Sequence, residues 1–116
     1  MQQRLRLKRS EDFIRIRREG RTFRHALLLI NVMANESRVN RYGFVTSKRL
    51  GKAVTRNRVR RLLREAARLS HPNLHQGFDI VVVAHPKAVG QSLETIQAAM
   101  HDLFVRANLL VESNRQ

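Results

Sequence analysis

Apolar positions Val59, Leu62, Leu63 and Ala66 recur at i, i+3, i+4 and i+7, the spacing of one buried helical stripe. With Thr55 as N-cap, this predicts a helix from about Arg56 to Leu69. His71-Pro72-Asn73 ends it. A second helical repeat begins after Ser92, with Leu93, Ile96, Met100, Leu103, Ala107 and Leu110, and runs to about Val111. Near the start, Ser10 can cap a short helix with Glu11 and Asp12 in its first turn, where the helix dipole favours anions. Gly20 fits its stop, and Ile14 and Ile16 offer it to a core. Phe13 and Arg17, four apart, share a face of this helix.

Strand patterns fill the gaps between these helices. Residues 21–34 read as extended, with β-favouring Thr22-Phe23 and an apolar run from Leu27 to Val32. Ala34-Asn35-Glu36-Ser37 is turn chemistry. Arg41 to Ser47 is a further strand, expected to pair with the preceding one as a hairpin. Tyr42 and Phe44 share one face of it, which is either core or cleft. Phe78 to Ala84 is almost entirely apolar, as in a strand buried on both faces. The order helix, strands, helix, strand, helix predicts a single α+β sandwich over residues 1–116, with a frayed tail at 112–116.

Charge changes the picture. The chain carries 23 Lys or Arg against 9 Asp or Glu, a net of +14, which makes a polyanion the expected partner. The excess is local. Residues 1–68 hold 20 of the bases and five acids, a net of +15, while residues 69–116 net −1. From Lys48 to Arg68 there are nine bases and a single acid, Glu65. On the predicted helix, Asn57, Arg61, Arg64 and Arg68 lie opposite the apolar stripe, with Arg56 and Arg60 at one edge and Arg58 at the other. Lys48, Arg49, Lys52 and Arg56 gather at the helix N-terminus, an arrangement suited to phosphate oxygens. Arginine suits RNA in particular, because its planar fork grips phosphate or stacks on an unpaired base.

Other chemistries recede. Without cysteine there is no disulfide, thiolate metal site or Cys nucleophile. No apolar run is long enough to span a membrane. The N-terminus lacks an apolar signal-peptide core, so a cytoplasmic protein is expected. Glu11-Asp12 read as dipole-matching acids rather than a catalytic pair, and His71 and His75 as loop residues rather than metal ligands. His25, His85 and His101 are scattered. Gly51-Lys52 lacks the rest of a phosphate-loop motif. No protein-only active site is expected. A purely structural RNA- or nucleoid-binding module fits the composition equally well. A cationic membrane-surface protein fits less well, because the basic helix is short and its apolar stripe is needed by the sheet.

One stretch is more specific. Thr46-Ser47-Lys48-Arg49-Leu50-Gly51, followed by Ala53-Val54-Thr55-Arg56-Asn57-Arg58-Val59-Arg60-Arg61-Leu62-Leu63-Arg64-Glu65, resembles the "RNR" signature of the bacterial ribonuclease P protein component. Arg6-Leu7-Lys8-Arg9-Ser10-Glu11-Asp12-Phe13 and Asp79-Ile80-Val81-Val82-Val83-Ala84 are similar to its flanking marks. The resemblance implies an α/β sandwich with a left-handed βαβ crossover, where general rules favour the right-handed form. It also implies a ribonucleoprotein endonuclease that removes the 5′ leader of precursor tRNA. In that family the RNA subunit performs the hydrolysis with Mg²⁺, and the protein itself needs no cofactor. The implied partners are the catalytic RNA and precursor tRNA, with no membrane and no DNA.

By position, the resemblance implies that Lys48, Arg49, Lys52, Arg56, Asn57, Arg58, Arg60, Arg61, Arg64 and Arg68 meet the catalytic RNA or line the nearby substrate channel. Phe13 matches an aromatic facing a cleft for the single-stranded leader. One turn later the family often has a second aromatic, and here stands Arg17. A Tyr common in the family is missing from Ile30-Asn31-Val32. Leader contacts through Phe13 and Arg17 are therefore expected to rely more on charge than on stacking, which is worth about 1–3 kcal/mol per base.

Overall fold

The computed structural model describes residues 2–111; the predicted frayed tail lies outside them. Helix α1 spans Ser10–Glu19 and leads directly into strands β1, Arg21–Arg24, and β2, Leu28–Ala34. Strand β3, Arg41–Val45, precedes α2, Ala53–Ser70. Strand β4, Phe78–Ala84, and α3, Leu93–Arg106, complete the domain. It is the expected α+β single domain, with three α-helices and one four-stranded sheet among the described residues.

The sheet order is β1-β2-β4-β3. The extended stretch 21–34 is thus two strands paired antiparallel, with Phe23 opposite Ile30. The expected hairpin between the strand ending at Ala34 and the one starting at Arg41 does not form. Instead β4 sits between them, antiparallel to β2 (Ile30 opposite Val82) and parallel to β3 (Phe44 opposite Val82). The reason lies in composition. Phe78 to Ala84 has apolar side chains for both faces, so the centre of the sheet buries it best. Consequently α2 is the crossover between parallel neighbours β3 and β4.

Each face of the sheet has its own core. On one side α1 packs, with Leu7, Ile16 and Val81 buried beside half-buried Phe13, Met33, Val45 and Val83. On the other, Leu63 and Ala66 of α2 and Ile96, Met100 and Leu103 of α3 cover Ile30, Val32, Tyr42, Ile80 and Val82. Tyr42 belongs to this second core and is fully buried; Phe44, on the same face, is half-buried against it. Of the two α1 isoleucines, Ile16 is fully buried but Ile14 is 60% exposed. Residues i and i+2 of a helix lie about 200° apart around its axis, so only one of the pair can face the sheet.

Helix ends differ from the predicted caps for local reasons. Arg9 and Lys52, not Ser10 and Thr55, hold the N-cap positions of α1 and α2, and neither makes a side-chain cap bond. The start of α2 comes earlier than predicted because Gly51 reverses the chain at φ 130°, directly after a 3-10 turn at Lys48–Leu50. Gly20 does end α1, but its backbone is extended. What it supplies is closeness, since a Cβ there would lie 2.6 Å from the Ile16 carbonyl oxygen and 2.8 Å from that of Val32. Ser92 caps α3 through the Thr95 N–H, 3.1 Å away. That helix stops at Arg106 rather than near Val111, because Asn108 turns at φ 61° and Leu110 bridges to Leu74.

The connection from β2 to β3 must cross β4, and buried polar groups hold it. Asp79 is 2% exposed. It accepts two hydrogen bonds from Arg41, at 2.9 and 2.8 Å, and one from the Asn35 amide at 2.8 Å. This pairing raises the Arg41 pKa. Asn40, fully buried, donates to the His75 carbonyl and accepts from the Phe78 N–H, both at 2.8 Å.

Candidate nucleic-acid interface

The N-terminal strand-like segment lies along the free edge of β3. The Leu7 N–H donates to the Tyr42 carbonyl at 2.8 Å, and Arg6 pairs with Tyr42 as an isolated parallel bridge. Phe13 of α1 then folds over Gly43. A Cβ on Gly43 would lie 2.4 Å from two atoms of the Phe13 ring, so only glycine lets the ring rest on the strand. From the opposite side, α2 contributes Arg60 and Arg64. Together with Leu7, Tyr42 and Phe44 these groups line a narrow cleft of about 160 Å³.

The cleft is cationic and carries no acidic side chain in its lining. The Arg64 Nε is buried without a hydrogen-bond partner. Burial lowers the Arg64 pKa, and the neighbouring charges of Arg6 and Arg60 lower it further. Three guanidinium groups held together without a counter-charge make a site that an anion would relieve. Phe13 offers an aromatic surface beside them, so the combination suits a single strand with phosphates and exposed bases.

The basic helix divides into two populations. Asn57, Arg58, Arg61 and Arg68 are exposed, and so are Lys48, Arg49 and Lys52 before and at its N-terminus. Asn57, Arg61 and Arg68 keep to the predicted outward face, with Arg58 at its edge and the three lysine and arginine groups before them extending it into one ridge. Arg64 departs from it. Instead of pointing away from the apolar stripe with Arg61, it is half-buried and reaches the cleft. Buried Ala67 widens the packed side of α2 toward Arg64, and its long aliphatic stem carries the charge sideways. Arg56 and Arg60 are tied to the scaffold. Arg56 donates to the Gly51 carbonyl at 2.9 Å, bracing the turn before α2. Arg60 donates to Asn57 Oδ1 at 2.9 Å and to Thr46 Oγ1, fixing α2 against the end of β3.

Arg17 is exposed and does not line the cleft. Arg6, Leu7 and Gly43 do, and residue spacing did not single them out. Arg6 and Leu7 belong to the Arg6 to Phe13 stretch and Gly43 to β3, and the pairing of that stretch with β3 is non-local and cannot be read from periodicity. Asp12 pairs with Arg15 at 3.4 Å across one turn of α1.

Comparison with known proteins gives a consistent result. The family model described as Ribonuclease P matches residues 1–108. A ribonuclease P protein component from Roseiflexus sp. (strain RS-1) is 43% identical over 115 residues, covering 98% of this chain and 94% of the relative. One from Chloroflexus aurantiacus is 41% identical over 111 residues, covering 95% and 82%. Among solved structures, the RNase P protein of Staphylococcus aureus superposes with a TM-score of 0.84 at 28% identity, covering 92% of this chain and 98% of that one. That of Thermotoga maritima gives 0.80 at 28% identity, covering 93% and 98%.

Proposed function

Because the chain belongs to the ribonuclease P protein family, we propose that it binds the catalytic RNA of ribonuclease P through the exposed ridge of α2 and receives the 5′ leader of precursor tRNA in the cleft beside β3. The hydrolysis, with Mg²⁺, belongs to the RNA subunit. The protein's residues bind and position. Lys48, Arg49, Lys52, Arg58, Arg61 and Arg68 neutralise phosphates of the folded RNA. Arg6 and Arg64 hold leader phosphates while Phe13 stacks on a leader base. Arg56 and Arg60 keep the ridge and cleft in register.

The observation that carries this reading is the cleft's cluster of Arg6, Arg60 and Arg64, with the Arg64 Nε buried and unpartnered beside Phe13. A protein that served only as a basic coat would have no reason to desolvate one of its charges. The test is reconstitution at low Mg²⁺. The protein together with the RNA subunit is expected to remove the leader from precursor tRNA, and the protein alone to cleave nothing. Cleavage by the protein alone, or no stimulation of the RNA, would overturn the reading.

Two cleft variants give a sharper check. Phe13→Ala is expected to weaken binding of leader-bearing precursor by roughly 5- to 150-fold, the equivalent of one stacked base, and to leave mature tRNA nearly unaffected. Gly43→Ala should act in the same direction, because its new methyl group displaces the Phe13 ring. Equal losses for precursor and mature tRNA in both variants would remove Phe13 from the leader site.

A further inference from the structure

A second depression, larger in volume than the cleft, opens where the N-terminal segment meets the C-terminal end of α2. Its volume is about 540 Å³ and it is lined by Gln2, Arg4, Leu5, Arg68, His71 and Pro72. That is within the range of about 300–1,000 Å³ typical of small-ligand sites. We propose that it takes one unpaired nucleotide of the RNA subunit, with the phosphate against Arg4 and Arg68 and the base against Leu5, Pro72 and the His71 ring. The inference rests on the reading that the RNA subunit is the partner of α2, and adds a discrete site to it.

Three observations converge. The first is charge. Arg4 uses its Nε to bond Gln2 Oε1 at 2.8 Å, and no other bond engages its guanidinium among the described residues. Arg68 is held by Glu65 through Nε and Nη2, at 3.0 and 2.6 Å, so Nη1 is left over. Glu65 offsets part of the positive field, but it also holds the Arg68 fork in place.

The second is the fixed imidazole. The Tyr42 hydroxyl lies 2.7 Å from His71 Nδ1, and the two rings meet edge to face, 5.5 Å apart at 74°. Burial pushes the Tyr42 pKa up to about 12, so the phenol keeps its proton. In the tautomer in which the phenol donates to Nδ1, the neutral ring carries its own proton on Nε2. Nε2 has no partner among the described residues and is left to meet a ligand acceptor. Burial, reinforced by Arg4, lowers the His71 pKa and keeps the ring neutral. A neutral ring of fixed orientation is a good platform for a base.

The third is continuity. Arg61 and Arg68 are two turns apart on the same exposed stripe of α2, about 10 Å along its axis. An RNA strand following the ridge is thereby delivered to the mouth of the depression. Apolar Leu5 and Pro72 behind two guanidinium groups suit a nucleotide better than a bare phosphate, which would leave the apolar wall unused.

The experiment compares chemical probing of the RNA subunit, bound by wild-type protein and by Arg4→Ala, without precursor tRNA present. Arg4 is exposed and its one side-chain bond is to Gln2, so its removal should leave the melting temperature unchanged. Wild-type protein is expected to protect at least one unpaired nucleotide that Arg4→Ala re-exposes, with affinity falling roughly tenfold or more for a lost charge-assisted contact. Arg61→Ala serves as the contrast, lowering affinity without selectively re-exposing that nucleotide. A wild-type footprint and affinity in Arg4→Ala would overturn the site while leaving the ridge intact. Failure of the wild-type protein to bind the RNA subunit would remove the ridge and the site together.

Discussion

Raising monovalent salt from about 50 to about 200 mM is expected to weaken binding of the RNA subunit by 10³-fold or more, the loss typical when six to ten phosphates are neutralised. The expectation follows from where the charge lies. Lys48, Arg49, Lys52, Arg58, Arg61 and Arg68 are exposed on and beside α2, and Glu65 is the sole acid between Lys48 and Arg68. Each cation that displaces counterions from RNA steepens the dependence of log K on log salt by about 0.7–0.9. The C-terminal part, with a net charge of −1 over residues 69–116, contributes almost nothing to this slope. Filter binding or fluorescence titration across a salt series reads the slope directly. A slope shallower than about 2 would mean that the ridge meets solvent rather than a polyanion.

Replacing Asp79 with Ala is expected to destabilise the fold by about 3–5 kcal/mol, the usual cost of leaving a buried charge partner unpaired. Asp79 accepts from both Arg41 and Asn35 in the core of the sheet, and these bonds fasten the connection that carries the chain over β4. Arg41 is itself 35% exposed, so water can partly recover its charge and the effect should fall toward the lower figure. Even so, it is a large part of the roughly 5–15 kcal/mol that stabilises an ordinary domain. The midpoint of urea unfolding measures it. A change below about 1 kcal/mol would show that this network adds little beyond the backbone pairing of β2 with β4.

The individual helices and β4 were legible because their signals are local. Val59, Leu63 and Ala66 face the core as their spacing requires, and Phe78 to Ala84 behaves as a strand buried on both faces. The order of the strands was not legible by the same route. The most local pairing available to the strand at Arg41 was with its predecessor, yet β4 displaced it by offering two apolar faces. The outward ridge of α2 could be drawn from residue angles, but the sideways reach of Arg64 could not, because a helical wheel places Cβ atoms and not guanidinium groups. The cleft depends on Gly43, whose value is the absence of a side chain beneath Phe13, and on Arg6, brought to β3 by a non-local bridge. Neither has a periodic signature. The resemblance of the Thr46 to Glu65 stretch supplied the family, and the geometry supplied the division of its arginines into ridge, cleft and struts.

The most direct test of the central claim, that the exposed arginines of α2 neutralise the folded RNA subunit, is the salt slope of its binding to the double variant Arg58→Ala, Arg61→Ala. Both side chains are exposed and have no hydrogen-bond partner among the described residues, so circular dichroism and melting should match the wild type. If each arginine meets one phosphate, the slope should fall by about 1.4–1.8 together with the affinity. A folded variant with the wild-type slope and affinity would contradict the account.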